Sequence, residues 1–256
     1  MIFLMQKPLT FLALLIVFFV TVSFSEAEEG VVRLEYECRD TLGTPRWEAN
    51  TEITNKEGNL YVLVENVKGI YSSFDGPISW VAKMEFESTD DIVRPISLEK
   101  KIFDENGKMI RLEEQKFDYN KKIATCTHND IPRNISKTKK FRFNNDIVNR
   151  QILGLYGQKL LKKGKTSRSV TMLSEEPGSY MIDIKVVDKE TIVLNGCKRE
   201  AYKISIDPRL GLLNVVKVFF PKTYAWHSAE PEFEWLKYSG LEGGVSSAKV
   251  EITRKN

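Results

Sequence analysis

Histidine and cysteine are the scarce reactive groups of this 256-residue chain: His128 and His227, and Cys38, Cys126 and Cys197. Cys126-Thr127-His128 sets a thiol and an imidazole two residues apart. On a strand such residues share a face, as a metal pair or an activated thiol requires. Two ligands do not complete a metal site, so the spacing reads as structural. His227, in Ala225-Trp226-His227-Ser228 beside a strand end, is expected to be an exposed or hydrogen-bonded structural histidine. The acidic neighbours Asp90-Asp91, Glu113-Glu114 and Glu175-Glu176 would point to opposite faces of a strand, so none forms a catalytic carboxylate pair. They read as solvated turn or edge residues. The sequence contains no Gly-x-Ser-x-Gly, no His-Glu-x-x-His, no phosphate-binding glycine loop and no dinucleotide fingerprint. The expectation is a protein that is not an enzyme, with no catalytic residue, metal ligand or cofactor.

Charge narrows the partners. Lys and Arg number 38 against 35 Asp and Glu, a near balance that gives no whole-molecule case for nucleic acid, although 133–165 is locally basic. At the start of the chain, Lys7 precedes an almost wholly apolar run from Leu9 to Val22. Small residues follow in Ser23-Phe24-Ser25 and Ser25-Glu26-Ala27, as at a leader cleavage site. We therefore expect a signal peptide over 1–25 and one mature domain over 26–256. That domain would be periplasmic or secreted, with no stable membrane span after leader removal. The cysteines allow any of three single disulfides, or three thiols, and their spacing does not choose.

The elements that must position these groups are mostly strands. Val31–Arg39, Trp47–Thr54, Leu60–Val67, Ile78–Glu87, Pro95–Phe103, Arg111–Phe117 and Lys121–Thr127 are rich in β-branched and aromatic residues and are broken by turn residues. Gly58 suits a hairpin, and Asn106-Gly107 suits a type I′ turn. The segment 129–144 is polar and basic, is broken by Pro132, and reads as a loop. Asn145 then caps a helix over about 146–162, with Ile147, Val148, Ile152, Leu155, Tyr156 and Leu160 on one stripe and Gly164 as its stop. Strands resume at Lys165–Leu173, and a meander of Tyr180–Asp188, Lys198–Asp207, Asn214–Phe220 and Phe233–Ser239 leads to a last strand, Ser247–Thr253. In an open or half-closed barrel, inward positions exceed what one helix can cover. The apolar residues expected to line the leftover concavity are Trp47, Tyr61, Trp80, Phe86, Tyr156, Phe219, Trp226 and Trp235.

A run of local patterns adds a resemblance. Asp146-Ile147-Val148 leads to Leu153-Gly154-Leu155-Tyr156-Gly157, Lys162-Lys163-Gly164 and Asn195-Gly196-Cys197-Lys198, with a close at Trp226, Pro231 and Leu236-Lys237-Tyr238. Together with Phe117-Asp118-Tyr119, this resembles the uncharacterised bacterial periplasmic domains related to the LolA/LolB-like lipoprotein-carrier fold. The resemblance implies a mainly β fold, a curved antiparallel sheet forming an open half-barrel whose concave face the helix partly plugs. In carrier members that face takes acyl chains. A lipid or other apolar ligand is the leading expectation. The alternative is a cell-envelope scaffold with a filled core, docking a protein partner or an anionic membrane surface through a sheet edge or the basic 133–165 segment.

Overall fold

Alternation along the strands decides the architecture. In the second strand Trp47, Ala49 and Thr51 are buried while Glu48, Asn50 and Glu52 face water, and in the fourth Ile78, Trp80, Ala82, Met84 and Phe86 are buried in the same period-two pattern. The structure is a computed structural model that describes residues 30–144, 146–174, 177–209, 221–243 and 247–255. The expected leader, the expected strand Asn214–Phe220 with Phe219, and the expected cap Asn145 lie outside these residues.

The strands are β1 (Val31–Asp40), β2 (Pro45–Glu57), β3 (Leu60–Ile70), β4 (Pro77–Ser88), β5 (Val93–Phe103), β6 (Met109–Asp118), β7 (Ile123–Asp130) and β8 (Ile135–Arg142). Then come β9 (Ile147–Val148), helix α1 (Arg150–Lys162), β10 (Ser167–Leu173), β11 (Ser179–Leu194), β12 (Cys197–Pro208), β13 (Tyr224–Ser228), β14 (Trp235–Leu241) and β15 (Lys249–Arg254). All join one sheet in the order β8-β7-β6-β5-β4-β3-β2-β1-β15-β14-β13-β12-β11-β10-β9. Every pairing is antiparallel except β9 with β10. The first and last strands are thus neighbours in the middle of the sheet, where Cys38 faces Ile252.

The sheet curls around α1. Strands far apart in the order, β5 on one side and β9, β10, β13 and β14 on the other, all touch the helix, and β5 touches β9. Gln115 of β6 reaches the Ser174 carbonyl beyond β10 at 3.4 Å, and Asn149 Nδ2 donates to Gln115 Oε1 at 3.1 Å. The sheet is therefore strongly curved, as the expected open barrel requires, and brings strands distant in its order together around the helix. It is not closed, since among the described residues β8 pairs only with β7 and β9 only with β10.

Three expectations are corrected. The segment 129–144 holds the edge strand β8 rather than a loop; almost every β8 residue is exposed, so no apolar alternation marks it. The helix begins at Arg150, because Ile147 and Val148 spend their backbone bonds beside Thr171 and Met172 of β10. Asn106-Gly107 is not type I′: only Gly107 has positive φ, and the Asp104 carboxylate bonds the Asn106 and Lys108 amides instead. Asn195 (φ 51°) and Gly196 (φ 78°) form the turn in which both residues are left-handed, between the paired Leu194 and Cys197. The helix stop is as expected. Gly164 (φ 62°) donates to the Leu161 carbonyl and Lys165 to that of Leu160, a Schellman end.

Candidate functional site

The interior has an open half and a filled half. Between α1 and the inner faces of β1–β3 and β11–β15 runs a cavity of about 1750 Å3 that follows the helix from Arg150 to Lys162. This exceeds the ~300–1,000 Å3 of ordinary small-molecule pockets. Leu34, Tyr36, Ile53, Tyr61, Leu153, Leu155, Met172, Ile206, Tyr238 and Ile252 border it, and each is only partly covered. Inward apolar side chains that stay half-buried are the mark of an unfilled interior.

At the Arg150 end the wall is polar and tightly bonded. Glu242, whose side chain has no exposure, accepts from Arg46 Nε and Nη2 (both 3.1 Å), Trp47 Nε1 (2.8 Å) and the Ser72 amide (2.6 Å), and also from Ser72 Oγ. Its backbone carbonyl accepts from Tyr71 Oη at 2.7 Å. Arg150 opens α1, where no acidic side chain stands in the first turn and Asn149 makes no side-chain cap. Its guanidinium carbon lies 5.6, 5.5 and 5.6 Å from the rings of Trp47, Tyr71 and Trp80, and its Nη1 donates to Tyr71 Oη at 2.9 Å.

At the other end Lys162 pairs with Glu232 at 2.6 Å, and Lys163 with Asp91 at 2.9 Å. Between the ends, His227 is buried and borders the cavity, its Nδ1 2.9 Å from the Phe233 carbonyl. Burial holds this imidazole down at about 4, the carbonyl bond working weakly against it. A neutral ring then donates from Nδ1. This fits the hydrogen-bonded structural histidine expected, one residue from the end of β13.

The filled half is a polar row across β5, β6 and β7. Lys100 pairs with Glu113 in register, and Glu113 with His128. Lys100 Nζ, Arg111 Nη1 and His128 Nδ1 approach the Glu113 carboxylate at 3.7, 3.8 and 3.9 Å, close enough for ion pairing but too long for hydrogen bonds. Glu113 is therefore inward and buried rather than solvated. Cys126 shares this face with His128, but burial alone pushes its thiol up to about 11, the opposite of an activated nucleophile. Burial likewise pushes Cys38 up to about 12; Cys197 is exposed, and all three are free thiols.

Of the predicted lining, Trp47, Tyr61, Phe86 and Trp235 border the cavity. Tyr61 stacks on Phe86 at 5.5 Å, and Trp235 meets Tyr36 edge-on at 5.0 Å. The other described members do not border it. Trp80 is inward but roofed by Lys100, 4.5 Å above its ring, and by Tyr71. Tyr156 turns toward β9, donating to Asp146 Oδ2 at 2.8 Å. Trp226 lies on the convex face, because its neighbours Ala225 and His227 take the inward positions. Its ring sits under Lys203 and Lys237, and its Nε1 donates to Glu190 at 2.7 Å. The polar members Arg150, Ser72 and Glu242 were missed: a polar helix start and a glycine-rich break carry no pattern that points inward.

No helix among the described residues is long and apolar enough to cross a membrane. No protein-family model and no curated protein matches the chain. A solved structure that does match is described as a beta-barrel-like protein of the domain of unknown function DUF1849 from Brucella abortus. The two share 8% identity, with 88% of this chain and 95% of that one covered, at a TM-score of 0.48.

Proposed function

We propose that this is an exported, non-enzymatic protein that binds a lipid or other apolar molecule in the cavity beside α1, in the manner of the LolA/LolB-like carriers. The observation that carries the reading is the row of half-covered apolar side chains, Leu34, Ile53, Tyr61, Leu153 and Ile252 among them, around about 1750 Å3 of space. Left to water, such surface costs ~25 cal/mol per Å2, which an apolar guest recovers. The raised thiols and the bonded His227 favour binding over chemistry. Native mass spectrometry of gently purified protein is expected to find co-purified lipid. A ligand-free spectrum together with no uptake of a fluorescent fatty acid removes the proposal.

One observation favours a second reading, docking of an acidic extended segment from an envelope partner. Among the described residues β8 leaves one edge unpaired, and it presents Lys137, Lys139, Lys140 and Arg142 to solvent. An added strand carrying Asp or Glu would satisfy both. Reversing these four charges is expected to abolish recovery of such a partner, and unchanged recovery removes the motive.

A further inference from the structure

One inward position on the cavity wall departs from the alternation that shaped the rest. Along β3 the inward side chains are Tyr61, Leu63, Glu65 and Val67, so a carboxylate stands where period two calls for an apolar residue. Its partners in register are Thr51 on β2 and Ala82 on β4, both small, and Glu65 and Thr51 border the cavity. Trp80 Nε1 donates to Glu65 Oε2 at 3.1 Å. A neutral amide oxygen would accept that bond equally well, so the indole does not account for a charge at this place. Lys100, over the Trp80 ring, is turned to Glu113 at 3.7 Å. On β1, Tyr36 is near enough to Arg254, Glu65 and Glu234 for each to act on its hydroxyl electrostatically. Arg254 and Glu234 pair at 2.9 Å, so Glu65 carries the net charge of these three. Rings gather on the same wall, Tyr36 edge-on to Trp235 at 5.0 Å and Tyr61 stacked on Phe86 at 5.5 Å. A carboxylate among aromatic rings attracts an organic cation.

Resting on the apolar-ligand reading above, we propose that the ligand of this cavity carries a positively charged amine, seated at Glu65, with its apolar part against Leu34, Ile53 and Leu153. An ammonium drawn from water into a greasy slot loses hydration that apolar walls cannot replace. Here the Glu65 carboxylate would accept its charge-assisted hydrogen bond, and the Thr51 hydroxyl beside it in register would offer a neutral acceptor. Small neighbours at positions 51 and 82 keep the approach to the carboxylate clear. Leu34 and Ile53 are the inward residues of β1 and β2 next to it, and Leu153 faces them from α1.

The test uses the full chain with N-phenyl-1-naphthylamine as a displaceable reporter, and dodecylamine, dodecanol, dodecanoate and methylamine as competitors, each below its micellar concentration. Dodecylamine is expected to compete about tenfold better than dodecanol, the scale of one charge-assisted contact, and dodecanoate less well than dodecanol. Glu65→Gln keeps an acceptor for Trp80 Nε1 and removes the charge. It is expected to erase the advantage of the amine while leaving dodecanol within about twofold, and Glu65→Asp to keep part of that advantage. Methylamine alone is expected not to displace the reporter. Equal competition by amine and alcohol in the wild type, or an amine advantage that survives Glu65→Gln, overturns the proposal and leaves the apolar cavity standing. Stronger competition by dodecanoate than by dodecylamine overturns it in the same way. Displacement by methylamine alone overturns the placing of the apolar part. No competition by any amphiphile overturns the cavity reading itself. Circular dichroism of each variant separates loss of selectivity from loss of fold. If Glu65→Gln does not fold, the amine-to-alcohol ratio of Glu65→Asp decides, a fall supporting the proposal and an unchanged ratio overturning it.

Discussion

The imidazole of His227 lies against the backbone of Gly157: a β-carbon on residue 157 would stand 2.8 Å from His227 Nε2. The helix approaches β13 this closely only because position 157 has no side chain. His227 cannot swing aside without giving up its bond to the Phe233 carbonyl. Gly157→Ala is therefore expected to destabilise the fold by about 1–3 kcal/mol despite Ala's better helix propensity. At Gly154 the nearest atom is Trp235 Cδ1 at 3.1 Å, and Trp235 borders the cavity and has room to yield. Gly154→Ala is expected to stabilise by up to about 1 kcal/mol. Urea titrations of the two variants read the contrast.

His227 also sets a pH dependence. Its folded value of about 4 lies below the 6.5 of a free histidine, so between these values the unfolded chain binds more protons. Its contribution is full above pH 6.5 and is lost as pH falls toward 4, amounting to at most about 3 kcal/mol. His227→Asn keeps a donor for the Phe233 carbonyl but does not titrate. The difference in urea midpoint between wild type and this variant is expected to shift in favour of the variant as pH falls from 7 to 4.5. A constant difference contradicts the assignment.

Glu242 joins the start of β2 and the chain after β3 to the chain after β14. Glu242→Ala would leave Arg46 and the buried Trp47 Nε1 without their acceptor, an expected loss of about 3–5 kcal/mol. Glu242→Gln retains an acceptor oxygen but not the charge, and is expected to cost less. Thermal unfolding monitored by tryptophan fluorescence ranks the two.

The thiols divide by burial. Cys38 and Cys126 are buried and Cys197 is exposed, so a thiol-specific chromophore is expected to label one cysteine rapidly in the native protein and three after unfolding. Mass mapping should place the fast label on Cys197. Rapid labelling of Cys126 instead would revive a thiol chemistry beside His128.

Strands whose apolar residues alternate, such as β2 and β4, were legible because burial on one face writes a period of two into the sequence. The same rule explains the failures. β13 reads Tyr-Ala-Trp-His-Ser, with too few polar residues to mark a face. Only its register against Lys203 and Lys237 reveals that Trp226 points outward and His227 inward. β6 reverses the rule, turning Arg111, Glu113 and Gln115 inward because β5 and β7 supply Lys100, Leu98, His128 and Cys126 opposite them. Such pairing is long-range and has no local trace. β8 lacks an apolar face altogether, so only hydrogen bonding to β7 defines it. Arg150 looked like any polar helix start because the rings around it come from β2, β4 and the turn after β3.

The unfastened boundary between β8 and β9 has a mechanical consequence. Elsewhere, widening the wall means tearing a ladder of backbone bonds, each strand laced to the next. Along this seam, among the described residues, the gap is bridged by the apolar side chains of Phe143, Ile147, Leu173, Ala124 and Cys126 and by the Gln115 bonds to Ser174 and Asn149, with no ladder of backbone bonds. A strained wall would give way there first, as a garment opens along its one unsewn edge and can be closed again intact.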